Sequence, residues 1–140
     1  MRIDFYLLTA DAADAQGLFT CRLLEKAYQK GHRIFVYCNN ETEAGGLDEL
    51  LWTFKPDSFI PHHLQGEGPE PPPPIQIGYG TEPRGFSDIL FNLADTIPAF
   101  YTRFQRVIEI VAADEPAKIR GREHFRSYRK AGTEPKTHTV

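Results

Sequence analysis

Arg122, Phe125, Arg126 and Arg129 are spaced three, four and seven apart, so on an α-helix they share one face. Three guanidiniums would then surround one aromatic ring. Guanidinium forks suit carboxylates and phosphates, and a ring beside them suits an apolar or stacked group. The pattern points to an anion with an apolar end. The same spacing admits a plainer reading, in which Phe125 and Tyr128 face the core and the arginines are only solvated. Between Lys118 and Lys130 sit six basic residues and one acid, a local charge of +5; the whole chain is −3, so the remainder is −8. A basic helix on an acidic body attracts something negative. The −8 elsewhere disfavours naked DNA as the target, so nucleic acid is expected to be met only through a partner.

Other candidates for chemistry are thinner. Asp11 and Asp14 follow the first apolar run, where α/β folds place active sites, and would suit a magnesium- or nucleotide-dependent enzyme. Either also reads as a helix N-cap. His62 and His63 are adjacent in an extended segment and point to opposite faces, a poor arrangement for one metal ion. The turn after the first strand, TADAADA, has no phosphate-cradling glycines, and Gly66-Glu67-Gly68 and Gly78-Tyr79-Gly80 lack a third glycine. No nucleophile motif stands out. No catalytic set, cofactor or metal is therefore expected, which favours a binding module. The stretch LDELLWTFKPDSFIP, Leu47 to Pro61, offers a second surface. Helical periodicity assigns Leu47, Leu50, Leu51 and Phe54 to the core. That leaves Trp52 near the edge, close to Phe59 and the rigid Pro61, as a protein-binding patch or a simple edge cover.

The elements that must hold these residues follow an α/β pattern. Ile3–Thr9 and Arg33–Cys38 are continuous apolar runs, strands buried on both faces. Between them Ala15 to Lys30 reads as a helix closed by Gly31, giving a right-handed βαβ unit. Glu41–Phe54 is a second helix, ended by Lys55-Pro56. Ser58–His62 is a short extended piece. Leu64–Pro74 is a loop with five prolines, four of them consecutive and suited to polyproline II. Ile75–Tyr79 and Phe104–Ala112 are strands, Asp88–Leu93 a strand or short helix, and Ile97–Tyr101 one helical turn. Asp114 and Pro116 open the last helix as N-cap and first-turn proline. The expected architecture is a single-domain, Rossmann-like three-layer sandwich with a mostly parallel sheet and no dinucleotide-binding loop. It spans residues 1–132 with the proline-rich loop at 64–74, and residues 133–140 form a flexible tail. Hydrophobic content of 41% and charged content of 25% fit a soluble domain. No apolar run approaches the ~18 residues needed to span a bilayer. The start MRIDFYLL lacks signal-peptide features. Cys21 and Cys38 suit small buried hydrophobes in a reducing compartment. A cytoplasmic protein without membrane contact is expected.

Six short pieces, in order, carry a resemblance. They are Phe5-Tyr6-Leu7-Leu8, Leu47-Asp48-x-x-Leu51-Trp52, Ser58-Phe59-Ile60-Pro61-His62 and Gly66-Glu67-Gly68-Pro69, then Asp88-Ile89-Leu90 and Arg126-x-Tyr128-Arg129-x-Ala131-Gly132. Together they span nearly the whole chain, and the chain resembles the chi subunit family of bacterial DNA polymerase III. The resemblance implies a non-catalytic clamp-loader accessory subunit with two protein partners. One is the psi subunit, on an aromatic patch that maps to Trp52, Phe59 and Pro61 and is also open to a helicase partner. The other is the acidic C-terminal tail of single-stranded-DNA-binding protein. Its site maps to Arg122, Phe125 and Arg126, with Arg129 on the same face. The family more often has tyrosine at Phe125 and lysine at Arg126, so ring and charge are kept and a phenolic hydroxyl is lost.

Overall fold

The computed structural model describes residues 1–68 and 71–140. Pro69 and Glu70, within the proline-rich stretch and the Gly66–Pro69 piece, lie outside the described residues. In chain order the elements are β1 (Arg2–Leu7), α1 (Ala15–Gln29), β2 (Ile34–Cys38), α2 (Glu41–Thr53), β3 (His62–Leu64) and β4 (Ile75–Tyr79). They continue with β5 (Ile89–Asn92), a 3-10 turn (Ala99–Arg103), β6 (Arg106–Val111), α3 (Glu115–Lys130) and β7 (Lys136–Thr139). The seven strands form one sheet in the order β3-β4-β2-β5-β6-β1-β7, and every pairing is parallel. The three-layer α/β sandwich expected from the sequence is therefore present. β1 and β2 are parallel but separated by β5 and β6. The proline-rich stretch lies in the connection between β3 and β4, adjacent parallel strands that need a long crossover.

Strand alternation divides the core into two layers. Ile34, Val36, Ile89, Phe91, Ile108 and Ile110 face α1 and α2. Ile3, Phe5, Phe35, Leu90, Val107 and Val111 face α3 and the 3-10 turn. Cys21 and Cys38 are buried free thiols, each pushed up to about 12 by burial. Asn40 caps α2 by accepting from the Glu43 amide, and Asp114 caps α3 by accepting from the Ala117 amide at 3.1 Å.

The underside of α3 is fastened by a buried polar cluster. Glu109 of β6 is 5% exposed. Its carboxylate accepts from His124 Nδ1 at 2.9 Å, the Tyr128 hydroxyl at 2.6 Å and Asn92 Nδ2 at 2.9 Å. His124 Nε2 meets the Asp95 carbonyl at 2.8 Å. A ring with both nitrogens against acceptors can donate to both only in its protonated form, which this setting favours. Burial alone would lower the His124 pKa, but Glu109 and the Asp95 carbonyl outweigh it and raise it above 6.5. Burial and the same carboxylate push the Tyr128 phenol up. Gly121, on the adjoining face, lets α3 lie close on β6: a Cβ there would sit 2.9 Å from Val111 Cγ2.

Residues 133–140, expected as a flexible tail, instead close the sheet. β7 runs parallel to β1, with Asp4 opposite Lys136 and Tyr6 opposite His138. Its four residues are polar, so no hydrophobic signal marked it. What holds it is hydrogen bonding and one buried carboxylate. Asp4, fully buried, takes His138 Nε2 at 2.8 Å and Arg106 Nε at 2.8 Å, and the Thr9 amide and hydroxyl both donate to the Val140 carbonyl. Burial would raise the Asp4 pKa, but the bonds from His138, Arg106 and Arg2 prevail and hold it below 3.8.

Two stability experiments check these contacts. The Asp4 contribution is present above 3.8 and lost as pH falls through its lower folded value. The His124 contribution is full below 6.5 and lost as pH rises through its raised folded value. Urea midpoints should therefore decline on both sides, and His124→Gln should remove only the high-pH decline; parallel declines in both proteins would assign it elsewhere. Gly121→Ala should destabilise, because overpacking costs ~1–3 kcal/mol against a helix gain of about 1 kcal/mol. Gly45→Ala on α2, with no neighbour within 4 Å, should stabilise by up to about 1 kcal/mol. Equal effects at both positions would contradict the close approach of α3 to β6.

Candidate functional site

The face of α3 beside its buried underside borders an apolar cavity of about 340 Å³. The carboxyl ends of β1 and β6 supply Phe5, Leu7, Leu8, Val111 and Ala112, and β7 supplies Thr137. The helix supplies Lys118, Gly121, Arg122 and Phe125. Residues 118, 122 and 125 are four and three apart, one ridge of the helix. A cavity near the lower end of the ~300–1,000 Å³ range for small-ligand sites takes one or two side chains, not an extended macromolecular face.

Tyr128 and Phe125 have separate roles. Tyr128 is 1% exposed and tied to Glu109, so it belongs to the core. Phe125 is half-buried, packs 5.4 Å from the Phe5 ring centroid, and shows its other side to the cavity. Arg122 stands on the wall and, among the described residues, its ion pair is a long 3.7 Å one to exposed Glu115, a contact easily exchanged for a ligand carboxylate. Arg126 is exposed and outside the lining. Arg129 lies 6.0 Å from the Phe125 ring centroid and pairs with Glu134 at 3.0 Å. Sequence reasoning missed Lys118, one turn before Arg122 on the same ridge. It also missed the strand-end and β7 residues, because no helical spacing refers to them. The cavity thus combines an apolar floor with two cations at its rim, a chemistry suited to a carboxylate attached to an apolar side chain.

The second sequence-derived patch lies at the other edge of the sheet. Trp52 is 52% exposed and Phe59 is 68% exposed, too open for a mere core cover, with ring centroids 5.8 Å apart. Pro61 is half-buried beside them in sequence. Trp52 also lies 4.6 Å from the ring of buried His62, which contacts the Ile60 carbonyl at 2.6 Å and Asp48 Oδ1 at 3.2 Å. The histidine thereby props the tryptophan outward.

Asp11 and Asp14 are both exposed. Asp14 occupies the N-cap position of α1, but neither aspartate supplies a capping bond: the Asp14 side chain makes none. Among the described residues no three His, Cys, Asp or Glu side chains converge on a metal-sized site, and no helix is long and apolar enough to cross a membrane.

Comparison with known proteins agrees with the resemblance. A family model described as "DNA polymerase III chi subunit, HolC" matches residues 1–136. The chain is similar to the DNA polymerase III subunit chi of Pseudomonas aeruginosa, 36% identical over 131 residues, covering 94% of this chain and 91% of the relative. The subunit chi of Escherichia coli K12 is 35% identical over 134 residues, covering 91% and 90%. That of Haemophilus influenzae is 32% identical over 137 residues, covering 97% and 95%. The chain belongs to the DNA polymerase III chi subunit family, a family of replication accessory subunits.

Proposed function

We propose that the protein is a non-catalytic adaptor. It joins the clamp loader, through psi, to single-stranded-DNA-binding protein by holding that protein's acidic C-terminal tail. The observation that carries this reading is the apolar cavity with Lys118 and Arg122 at its rim. A peptide that ends in an apolar residue places its side chain on Phe5 and Phe125 and its terminal carboxylate against the guanidinium. Upstream acids of the tail then meet the exposed Arg126 and Arg129. Exposed ion pairs contribute only ~0–1 kcal/mol each, so burial of the apolar end supplies much of the affinity.

The Trp52–Phe59–Pro61 patch takes psi, and a helicase partner would compete for the same rings. Exposed aromatic pairs of this kind serve as interface anchors. The two patches belong to opposite ends of the sheet, whose edges β3 and β7 are six strand spacings apart, roughly 29 Å at ~4.8 Å each. Simultaneous binding is therefore sterically open.

Titration of a labelled acidic peptide with an apolar C-terminal residue tests the tail site. Arg122→Ala should weaken binding about tenfold or more, and amidating the peptide's terminus should do the same. Arg126→Ala should cost only a few-fold, and all binding should fall with salt. Unchanged affinity for Arg122→Ala and for the amidated peptide would remove the site assignment. For the second patch, Trp52→Ala should abolish psi co-purification while leaving tail affinity intact. Loss of both activities, with an unchanged melting temperature, would show that the two sites are not separate.

A further inference from the structure

A second cavity, of about 400 Å³, lies on the opposite face of the sheet from the tail pocket, beneath α1. It opens near the amino ends of β1 and β6, whereas the tail pocket opens near their carboxyl ends. Its polar lining carries four cations, Lys26 and Lys30 at the end of α1, Arg2 of β1 and Arg106 of β6, with His32 beside them. Tyr6 completes the sheet side and stacks on His138 with ring centroids 4.8 Å apart.

Charge there is poorly matched. Asp4 is one carboxylate shared by Arg2 Nε at 2.9 Å, Arg106 Nε at 2.8 Å and His138 Nε2 at 2.8 Å. Asp88 holds His32 at 3.0 Å. Glu25, also on α1, is taken by Ser58 at 2.6 Å and Lys55 at 3.4 Å. Among the described residues Lys26 and Lys30 make no ion pair, and both are exposed. Lys136, opposite Asp4 in register, continues the cationic surface onto β7. The acids of these same segments lie elsewhere: Asp11 and Asp14 follow β1, and Asp114 and Glu115 follow β6. They are a strand length away, about 20 Å for six residues. The acidic surplus of the chain is also remote. Residues 39–102 hold two Lys or Arg against ten Asp or Glu, a net −8, whereas the remaining residues hold fourteen against nine, a net +5.

We propose that this cavity and the adjoining β7 edge bind the phosphodiester backbone of a single-stranded nucleic acid. A row of monoanions fits better than one free phosphate. The site has no helix N-terminus; α1 presents its C-terminal end, which carries partial negative charge. Asp4, buried beneath the lining, already takes the guanidiniums of Arg2 and Arg106, so the cations left for a ligand are the exposed lysines at the rim and not a closed pocket for a dianion. Phosphodiesters passing along the rim stay within reach of Lys26, Lys30 and Lys136, whose flexible ammonium groups need no fixed geometry. Contact with the strand is thus direct, in place of the sequence-based expectation that nucleic acid is met only through a partner; the −8 behind that expectation lies in residues 39–102, away from this face, and the proposal is independent of the tail-binding reading.

Anisotropy of a labelled oligothymidylate with the full-length chain, measured across a salt series, tests this. Lys26→Gln/Lys30→Gln should weaken strand binding roughly fivefold or more at low salt and reduce the log–log salt slope by about 1.4, since two phosphate contacts are lost. The same variant should bind the tail peptide as the wild type does, and Arg122→Ala should show the reverse pattern. An unchanged slope in Lys26→Gln/Lys30→Gln would overturn the proposal, as would loss of strand binding confined to Arg122→Ala. Displacement of the strand by inorganic phosphate well beyond that by chloride at equal ionic strength would also overturn it, in favour of a free-phosphate site.

Discussion

The buried carboxylate of Glu109 determines where α3 points. Three donors from two elements converge on it: Asn92 of β5, and His124 and Tyr128 of α3. Burying a charge is costly unless it is paired and hydrogen-bonded, and removing one partner leaves the other exposed to that cost. The helix therefore has one rotation in which the cluster is satisfied. In that rotation His124 and Tyr128 face the sheet, and the ridge of Lys118, Arg122 and Phe125 is turned onto the cavity. A helix rotated by one residue would turn a charged side chain inward, Arg129 in one sense and Glu123 in the other, and would take His124 and Tyr128 off the carboxylate.

The same economy appears at the β7 edge. An apolar strand there would leave a sticky, unpaired edge, whereas four polar residues fixed by Asp4 and His138 cover β1 without inviting further strands. β7 also supplies Thr137 to the apolar cavity beside α3, so the strand lines that cavity as well as closing the sheet. At the far edge, α2 and the segment after it to Pro61 carry half of the acidic surplus and the exposed aromatic pair. The molecule is divided in charge and in surface chemistry along the direction in which its strands are ordered.

Much of this was legible in the sequence because it rests on local signals. The continuous apolar run of β2 announces a buried parallel strand, and Asp114 with Pro116 marks the start of α3. Trp52 was left outside the helical stripe of Leu47 and Leu51, and it is exposed. What was not legible depends on distant pairing. β7 has no hydrophobic pattern; it is held by its ladder to β1 and by the bond from His138 to Asp4, 134 positions away. Helical spacing could not say whether Phe125 or Tyr128 was core, since that choice is made by Glu109 on another element. The apolar floor of the pocket comes from strand ends, which spacing on α3 cannot reveal.

The central claim is that one small sheet carries two separate protein-binding surfaces. The most direct measurement is an amide and indole NMR titration with the acidic tail peptide, free and then with psi bound. The account predicts shifts at Val111, Gly121, Arg122, Phe125 and Thr137 in both states, with the Trp52 indole moved only by psi and the peptide affinity unchanged. Peptide-induced shifts centred on Trp52 and Phe59, or displacement of the peptide by psi, would contradict it.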